Sequence, residues 1–429
     1  MLRIYCLTFA YSALIMAQQG QTDPAFDRIP FDEWVKEGTD AHIKWSLQTF
    51  PSRLGVHQRL RVGLSVRIDG NEFVKRRGAG QMVVFIEIRD HDNRVFQTHR
   101  AVRFEDLKNP SDLAALSFDQ YALIVPGDYQ LAAAILDTRS TEHAAKRTKL
   151  HVPDLAHDPL PESWHKLPEV EFVTYTDPPD AWYLPGITSR MSLPVTTERP
   201  VRVEVVVNES PTELANRRVS RTMSRNMGNV IPALKTLSQI ELLNGSLNVT
   251  LLDLERRKVS FSQEQVSTLD WTRLRAALVE NDPNSIDVHA LENHEQNAQF
   301  FVSEVRKRLE STESPARVLI VLSGPMAFPK GQDLTPIEAT PEPGVRVFYV
   351  RYNAPSPTGA AGVEVYRSQM GGGRRAPPSP GMPIPRGGPM EDSLARTLKP
   401  LAPKIFDVTT PMEFRNALAA IMSEISRLK

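Results

Sequence analysis

The sequence holds a single cysteine, no surplus of charge of either sign, no second long apolar run and no signature of a known catalytic loop. Each absence removes a class of function. Its 51 Lys and Arg balance 51 Asp and Glu, so the formal net charge is zero. Nucleic-acid binders and polybasic membrane-surface proteins need an excess of one sign, and both are disfavoured. The one cysteine, Cys6, lies in the opening stretch Met1–Ala17, where Arg3 precedes a mostly apolar run from Ile4 to Met16. This stretch reads as a signal peptide cleaved after Ala17, with a first core helix as the competing reading. Removal of residues 1–17 leaves a product without any thiol, which excludes disulfides, cysteine–zinc sites, iron–sulfur clusters and thiol nucleophiles together. No later segment reaches the roughly 18 apolar residues that a membrane-spanning helix needs. The expectation is a secreted or periplasmic protein.

What the chain does have is an ordinary globular share of 41% hydrophobic residues, 34 prolines and enough length for two or three domains. Residues 18–41 read as a polar leader with one short helix, Phe31 to Lys36. From residue 42 the hydrophobic period becomes two. Ile43, Trp45 and Leu47 alternate with polar neighbours, as do Leu60, Val62, Leu64, Val66 and Ile68. Such alternation marks strands with one buried face. Asp69-Gly70-Asn71 reads as a turn, and Met82–Arg89 with Arg94–Arg100 as a hairpin. A loop with a helical turn around Asp112–Leu116 follows. Pro126-Gly127-Asp128-Tyr129 then reads as a tight turn into an alternating strand, and Lys149–Val152 as a last strand. Short strands with turn signals at these intervals predict an immunoglobulin-like β-sandwich over 42–153.

Residues 154–200 are proline-rich and predict an interdomain connection with extended pieces such as Val170–Thr174. Trp164, Trp182 and Tyr183 within it predict a segment stapled to a neighbouring domain. Over 201–429 the pattern changes to apolar strands separated by helices. The strands are Val201–Val207, the pair Leu247–Leu254 and Lys258–Ser262, then Val318–Leu322, Val345–Arg351 and Ile405–Val408. The helices are Thr212–Arg225, Val230–Leu243, Leu269–Glu280, His294–Leu309, Ser393–Leu398 and Met412–Leu428. Buried strands alternating with helices predict an α/β doubly wound sheet. A Pro- and Gly-rich insert at 354–390 interrupts this domain and is expected to be disordered.

In a doubly wound sheet the ligand site lies beyond the carboxyl ends of the strands, where strand order reverses. After the first strand the sequence reads Asn208-Glu209-Ser210-Pro211-Thr212. This resembles the Asp-x-Ser-x-Ser signature of the von Willebrand factor type A domain. The element order over 201–428 is similar to that family, and the chain looks most like its divergent, secreted bacterial members with a sandwich region upstream. The resemblance implies a metal-ion-dependent adhesion site, in which Ser210 and Thr212 match the two hydroxyls that bind magnesium directly. Two departures argue against bound metal. Asn208 stands where the family has its first Asp, and Ser323-Gly324-Pro325 stands where it has Thr/Ser-Asp-Gly. A hard dication facing only neutral oxygens loses most of its electrostatic stabilisation.

Further candidates carry less. Asp287, His289, Glu292, His294 and Glu295 crowd together where the family has a Thr, and imidazole with carboxylate suits zinc. Their spacing is not that of a metalloprotease helix, and a solvated helix start accounts for them. Arg217, Arg221 and Arg225 would line one helical face. Asn208, Asn244 and Asn248 begin Asn-x-Ser/Thr triplets, which matter only in a glycosylating pathway. These readings together predict a non-enzymatic protein-interaction or adhesion-type protein whose binding loops contain Asn208, Ser210, Thr212 and Ser323, with a protein partner and no cofactor. Magnesium-dependent adhesion through Ser210 and Thr212 and a hydrolase using the His289–Glu295 cluster stand as the alternatives.

Overall fold

Period-two burial organises the first half of the chain in the computed structural model, which describes residues 20–38, 43–76, 78–107, 113–173, 187, 189–210, 227–254, 256–280, 294–310, 316–326, 337, 344–352 and 392–428. After helix α1 (Phe31–Glu37) come strands β1 (Trp45–Leu54) and β2 (Leu60–Asp69), a short helix α2 (Gly70–Lys75), and strands β3 (Gln81–Arg89), β4 (Val95–Arg103), β5 (Ala115–Ile124), β6 (Gly127–Asp137) and β7 (His143–Val152). With β8 (Val170–Phe172) they form two four-stranded antiparallel sheets, ordered β1-β2-β5-β8 and β4-β3-β6-β7. The alternating Leu60, Val62, Leu64, Val66 and Ile68 of β2 enter one core with Met82, Val84, Ile86 and Ile88 of β3 and Leu131, Ala133 and Ile135 of β6. Alternation therefore does set the inward face, as the physics of the pleat requires.

Several local expectations change. Asp69-Gly70-Asn71 is not a free turn: Asp69 accepts a hydrogen bond from the Asn71 N–H at 2.9 Å and caps α2. Ala115 and Leu116, expected in a helical turn, already belong to β5, and the last strand begins at His143 rather than at Lys149. The leader is part of the fold. Phe26, Phe31, Trp34 and Val35 pack onto Val83, Phe85, Ala132, Ala134 and Ala145, covering the outer face of the second sheet. Ala132 and Ala134 of β6 and Ala145 of β7 make this possible, because their small side chains on the outer face let a helix approach closely. Val170–Phe172 pairs with β5, so this piece of the expected connection completes a sheet of the sandwich.

The second half contains β9 (Leu193–Val195), β10 (Val201–Asn208), α3 (Met227–Leu237), β11 (Ile240–Leu242), β12 (Gly245–Asp253), β13 (Lys258–Gln263), α4 (Trp271–Glu280), α5 (His294–Leu309), β14 (Ala316–Ser323), β15 (Val345–Tyr352), α6 (Ser393–Leu398), β16 (Lys404–Val408) and α7 (Pro411–Ser426). Six strands make one sheet in the order β13-β12-β10-β14-β15-β16, parallel except for β13. Val203, Val205 and Val207 of β10 face a core that includes α3, α4 and α7, whereas Val206 faces a second core with α5 and α6. Helices thus cover both faces, and the apolar strands read as nearly continuous hydrophobic runs for that reason. The helix expected over Val230–Leu243 ends at Leu237, because Ile240–Leu242 pairs in parallel with Leu193–Val195. The expected helix Thr212–Arg225, with its arginine face, and the insert at 354–390 lie outside the described residues, as does the opening segment 1–17. No helix among the described residues is long and apolar enough to cross a membrane.

Helix α7 starts with a capping box: the Thr410 hydroxyl accepts from the Glu413 N–H at 3.2 Å, and the Glu413 carboxylate accepts from the Thr410 N–H at 2.9 Å. Four residues into the helix, Arg415 is fully buried. Its Nε and Nη2 donate to the Asp158 carboxylate at 2.6 and 2.8 Å, Nη2 also reaches Leu160 O and Ser163 Oγ, and the guanidinium stacks 4.6 Å from the Trp164 ring centre. Trp164 packs against both the sandwich core and a core of the six-stranded sheet. The sequence expectation that aromatics staple this connection holds for Trp164, while Trp182 and Tyr183 lie outside the described residues.

Burial alone would raise the Asp158 pKa, but hydrogen bonds from Arg415, the Leu160 N–H and the Trp164 indole hold it below the ordinary value. A carboxylate with a depressed folded pKa adds stability above its unfolded pKa, and that stability is lost as pH falls through the folded value. Asp158→Ala strands a buried guanidinium and should cost about 3–5 kcal/mol. Urea unfolding at pH 7 measures that loss, and the gap between wild type and variant should shrink as pH falls below about 4.

Candidate functional site

The parallel strands of the six-stranded sheet all end on the same side, and strand order reverses between β10 and β14. Asn208 ends β10 and Ser323 ends β14. The Asn208 Nδ2 donates to Ser323 Oγ at 3.0 Å and lies 3.7 Å from the Met326 sulfur. Its Oδ1 accepts from the Ser210 N–H at 3.0 Å, an Asx-type turn that fixes which end of the amide faces which way. Both residues, and Ser210, are 2% exposed or less. The loop that begins at Asn208 is therefore closed onto the sheet at its first turn.

Ser210 is bound into the neighbouring strand end. Its Oγ accepts from the Leu254 N–H at 2.6 Å and donates to Asp253 Oδ1 at 3.3 Å. The Arg256 N–H donates to that carboxylate at 3.0 Å, and its guanidinium lies 3.4 Å away. On the other side Asp392, the N-cap of α6, accepts from the N–H groups of Met326, Leu394 and Ala395 and from Arg351 Nη1 at 3.1 Å. Arg351 also makes a two-pronged pair with Asp407 at 2.7 and 2.9 Å. Asp407 chiefly, then Asp392, raises the Arg351 pKa well above its ordinary value. Burial, reinforced by Asp392, raises that of the Tyr349 phenol, which donates to Gly324 O at 3.3 Å. Among the described residues the carboxyl edge of the sheet thus carries Asp253, Asp392 and Asp407, each engaged by an arginine or by backbone N–H groups, beside Glu209, which follows Asn208.

The sequence reading places three of its four loop residues, Asn208, Ser210 and Ser323, in this one cluster. Thr212 lies outside the described residues. Sequence reasoning missed Asp253, Arg351, Tyr349, Asp392 and Met326. Asp253 was hidden because it reads as the penultimate residue of a strand. Asp392 had a legible signal, an acidic residue directly before a short helix, but nothing in the chain shows that the helix start lies over Ser323. Of the crowded acidic and histidine cluster, Asp287, His289 and Glu292 lie outside the described residues, and His294 and Glu295 begin α5. Among the described residues no three His, Cys, Asp or Glu side chains converge. Asn208 and Asn248 are buried, and Asn248 is bonded through Nδ2 to Glu204 and through Oδ1 to the Gln265 N–H, so neither offers its amide to a glycan.

The magnesium that the loop motif implies does not fit this donor set. Asn208 aims an amide N–H₂ at the Ser323 hydroxyl, a position where a dication needs an oxygen. The amide cannot turn over without losing its bond from the Ser210 N–H. Ser323 Oγ donates to Gly324 O at 2.7 Å, and Ser210 Oγ already accepts from Leu254. Hard cations require oxygen lone pairs directed at the metal, and among the described residues each of these two hydroxyls already spends one lone pair on a protein donor and its proton on a protein acceptor.

A second concave region lies between the two halves of the chain. It is a cleft of about 1330 Å³ bordered by Arg94, Lys166, Glu169, Arg190, Glu241 and Gln265 among others. No protein-family model and no curated protein sequence matches the chain. Among solved structures it is similar to the putative ApaA protein from Bordetella pertussis, at 10% identity and a TM-score of 0.18, covering 28% of this chain and 99% of that one. A glycosyl hydrolase family 2 member from Bacteroides cellulosilyticus aligns at 8% identity and a TM-score of 0.19, over 77% of this chain and 44% of that one. Likenesses of this size leave function to be argued from the residues themselves.

Ser210 joins two strand ends through one buried hydroxyl, and deleting it leaves the Leu254 N–H without an acceptor. Ser210→Ala should lower stability by about 1–3 kcal/mol. Chemical denaturation of the purified variant checks this, and a change within about 0.5 kcal/mol of wild type would refute the bridging role.

Proposed function

We propose that the chain is an exported, non-enzymatic protein-interaction protein in which an immunoglobulin-like sandwich carries a von Willebrand factor A-like domain that binds its protein partner without metal. Two features of topology support this architecture. The strand order β13-β12-β10-β14-β15-β16 is 3-2-1-4-5-6 within the second domain, with the third strand antiparallel. That is the doubly wound order whose ligand crevice opens at the carboxyl ends of the first and fourth strands. In the first half, β5 leads through a Pro-Gly turn into β6, where the Tyr129 hydroxyl donates to Val125 O at 2.9 Å. Such a tyrosine corner at the start of a late strand is a feature of immunoglobulin-like sandwiches.

The observation that carries the metal-free reading is the fixed amide of Asn208. An aspartate there would present an oxygen to a cation, whereas the asparagine presents two hydrogens to Ser323. The nearby Asp253, Asp392 and Asp407 are engaged by Arg256, by Arg351 and by backbone N–H groups, which weakens the attraction they offer a dication. A partner would therefore recognise the carboxyl edge by shape and hydrogen bonding, as in other interfaces whose ion pairs are internally satisfied.

Calorimetric titration of the purified mature protein with magnesium and manganese should give no saturable heat. Saturable magnesium binding that disappears in Ser210→Ala would overturn this reading in favour of metal-dependent adhesion. Tight zinc binding that disappears in His289→Ala would instead favour the hydrolase.

A further inference from the structure

The turn from β1 into β2 runs against the second half of the chain. Gln58 adopts a left-handed backbone, φ 60°, which is costly for a residue with a side chain. The turn delivers Gln58 and Arg59 inward, where they are 0% and 2% exposed. Gln58 Nε2 donates to Pro411 O, the first residue of α7, at 3.0 Å. Arg59 Nη1 donates to Glu171 Oε2 at 3.3 Å and to Ser189 Oγ, which in turn donates to Glu171. From the opposite side α3 supplies Lys235, whose ammonium donates to Ile187 O at 2.7 Å.

These side chains enclose a small cavity lined by His57, Arg59, Ser189, Lys235, Thr236 and Gln239 among others, with about 10 Å³ open to a water-sized sphere. Three nitrogens of its lining residues, His57 Nδ1 and Arg59 Nε and Nη2, are sealed from solvent and have no hydrogen-bond partner. Burial of an unpartnered polar group costs about 1–3 kcal/mol, so three in one place call for an occupant. The charges around the cavity do not balance. Arg59 and Lys235 are two cations, and Glu171 is the one carboxylate among the described residues that pairs with either. Burial, with Lys235 and Arg61 nearby, lowers the His57 pKa to about 3, so its ring is neutral and, as the Nδ1–H tautomer, adds a donor without a further charge. Burial also lowers the Lys235 pKa, to about 8, against the opposing pull of Glu171.

We propose that this cavity is a halide site, occupied by a chloride ion held between Arg59, His57 and Lys235 at the joint between the two halves of the chain. Size sets the class of anion. A cavity of this volume accepts one water-sized body, which admits chloride or bromide and excludes sulfate, phosphate and carboxylates. Charge separates the halide from a water molecule. A water would satisfy the orphaned nitrogens but leave the surplus positive charge of the half-buried Lys235 beside them without a counter-ion, whereas a monoanion does both. Since the turn of the sandwich, the connection at Ser189 and helix α3 of the second domain all contribute, the ion would tie the joint together and stabilise it by linkage.

The test uses the full mature protein at constant ionic strength in sodium gluconate, chloride, bromide or sulfate. Chloride at ten times its dissociation constant should raise the thermal midpoint by on the order of 2–4 °C over gluconate, saturably, with bromide matching it and sulfate failing to. Lys235→Met should weaken the apparent chloride affinity by about tenfold or more, one lost charge contact. Arg59→Gln should abolish the effect if it folds, but it takes the guanidinium away from the buried Glu171, so the decisive second measurement is on the native protein. A bromide-soaked crystal should show an anomalous peak between Arg59, His57 and Lys235. Equal midpoints in chloride and gluconate, or a crystal with no anomalous signal in the cavity, would overturn the proposal and leave a water as the occupant.

Discussion

The guanidinium of Arg415 holds the two halves of this molecule in register. It is fully buried on α7, bonded to Asp158, Leu160 and Ser163, and laid on the Trp164 ring. The segment 158–164 cannot shift without uncoupling that charge. Trp164 touches both cores, so the same contact fixes where the sandwich sits against the six-stranded sheet. Gln58 reaches the first residue of the same helix, and Leu167 of the connection enters the core beneath the sheet. An ion pair of this kind adds little net stability over an apolar substitute, but breaking it is costly, and its geometric demands specify one arrangement.

With the joint fixed, the carboxyl edge of the six-stranded sheet becomes a closed electrostatic system. Asp253, Asp392 and Asp407 are each spoken for by arginines or by helix and loop N–H groups. Ser210 and Ser323 spend their hydroxyls on the same network. A site built to hold a cation leaves carboxylate or hydroxyl lone pairs aimed at a common point. Among the described residues these groups already have protein partners, and the Asn208 amide donates to Ser323 Oγ while its oxygen accepts from the Ser210 N–H.

Much of the fold was legible in the chain. Alternation in Leu60–Ile68 and the apolar runs Val201–Val207 and Val318–Leu322 report burial on one face or two, because side-chain period and solvent exposure are local consequences of the pleat. The helix His294–Leu309 and the final helix are likewise legible, the latter from the apolar face that Phe414, Leu418, Ile421 and Ile425 make. The short helix of the leader is legible but its docking is not, because nothing in its own sequence says that Ala132, Ala134 and Ala145 offer a surface for it. The end of α3 at Leu237 was unreadable for the same reason: Ile240–Leu242 fits a helical face until a distant strand, Leu193–Val195, offers it a partner.

The sequence by itself determined most of the strand and helix types, the absence of cysteine in residues 18–429, and the uncharged amide at Asn208. Tertiary structure alone decided which carboxylates meet which arginines, that the Asn208 amide is locked with its hydrogens toward Ser323, and that His57, Arg59 and Lys235 surround one cavity. The physical reason is distance along the chain. Backbone conformation follows from neighbours a few residues apart, whereas the charge balance of a buried site is the sum over side chains separated by more than a hundred positions, and only folding performs that sum.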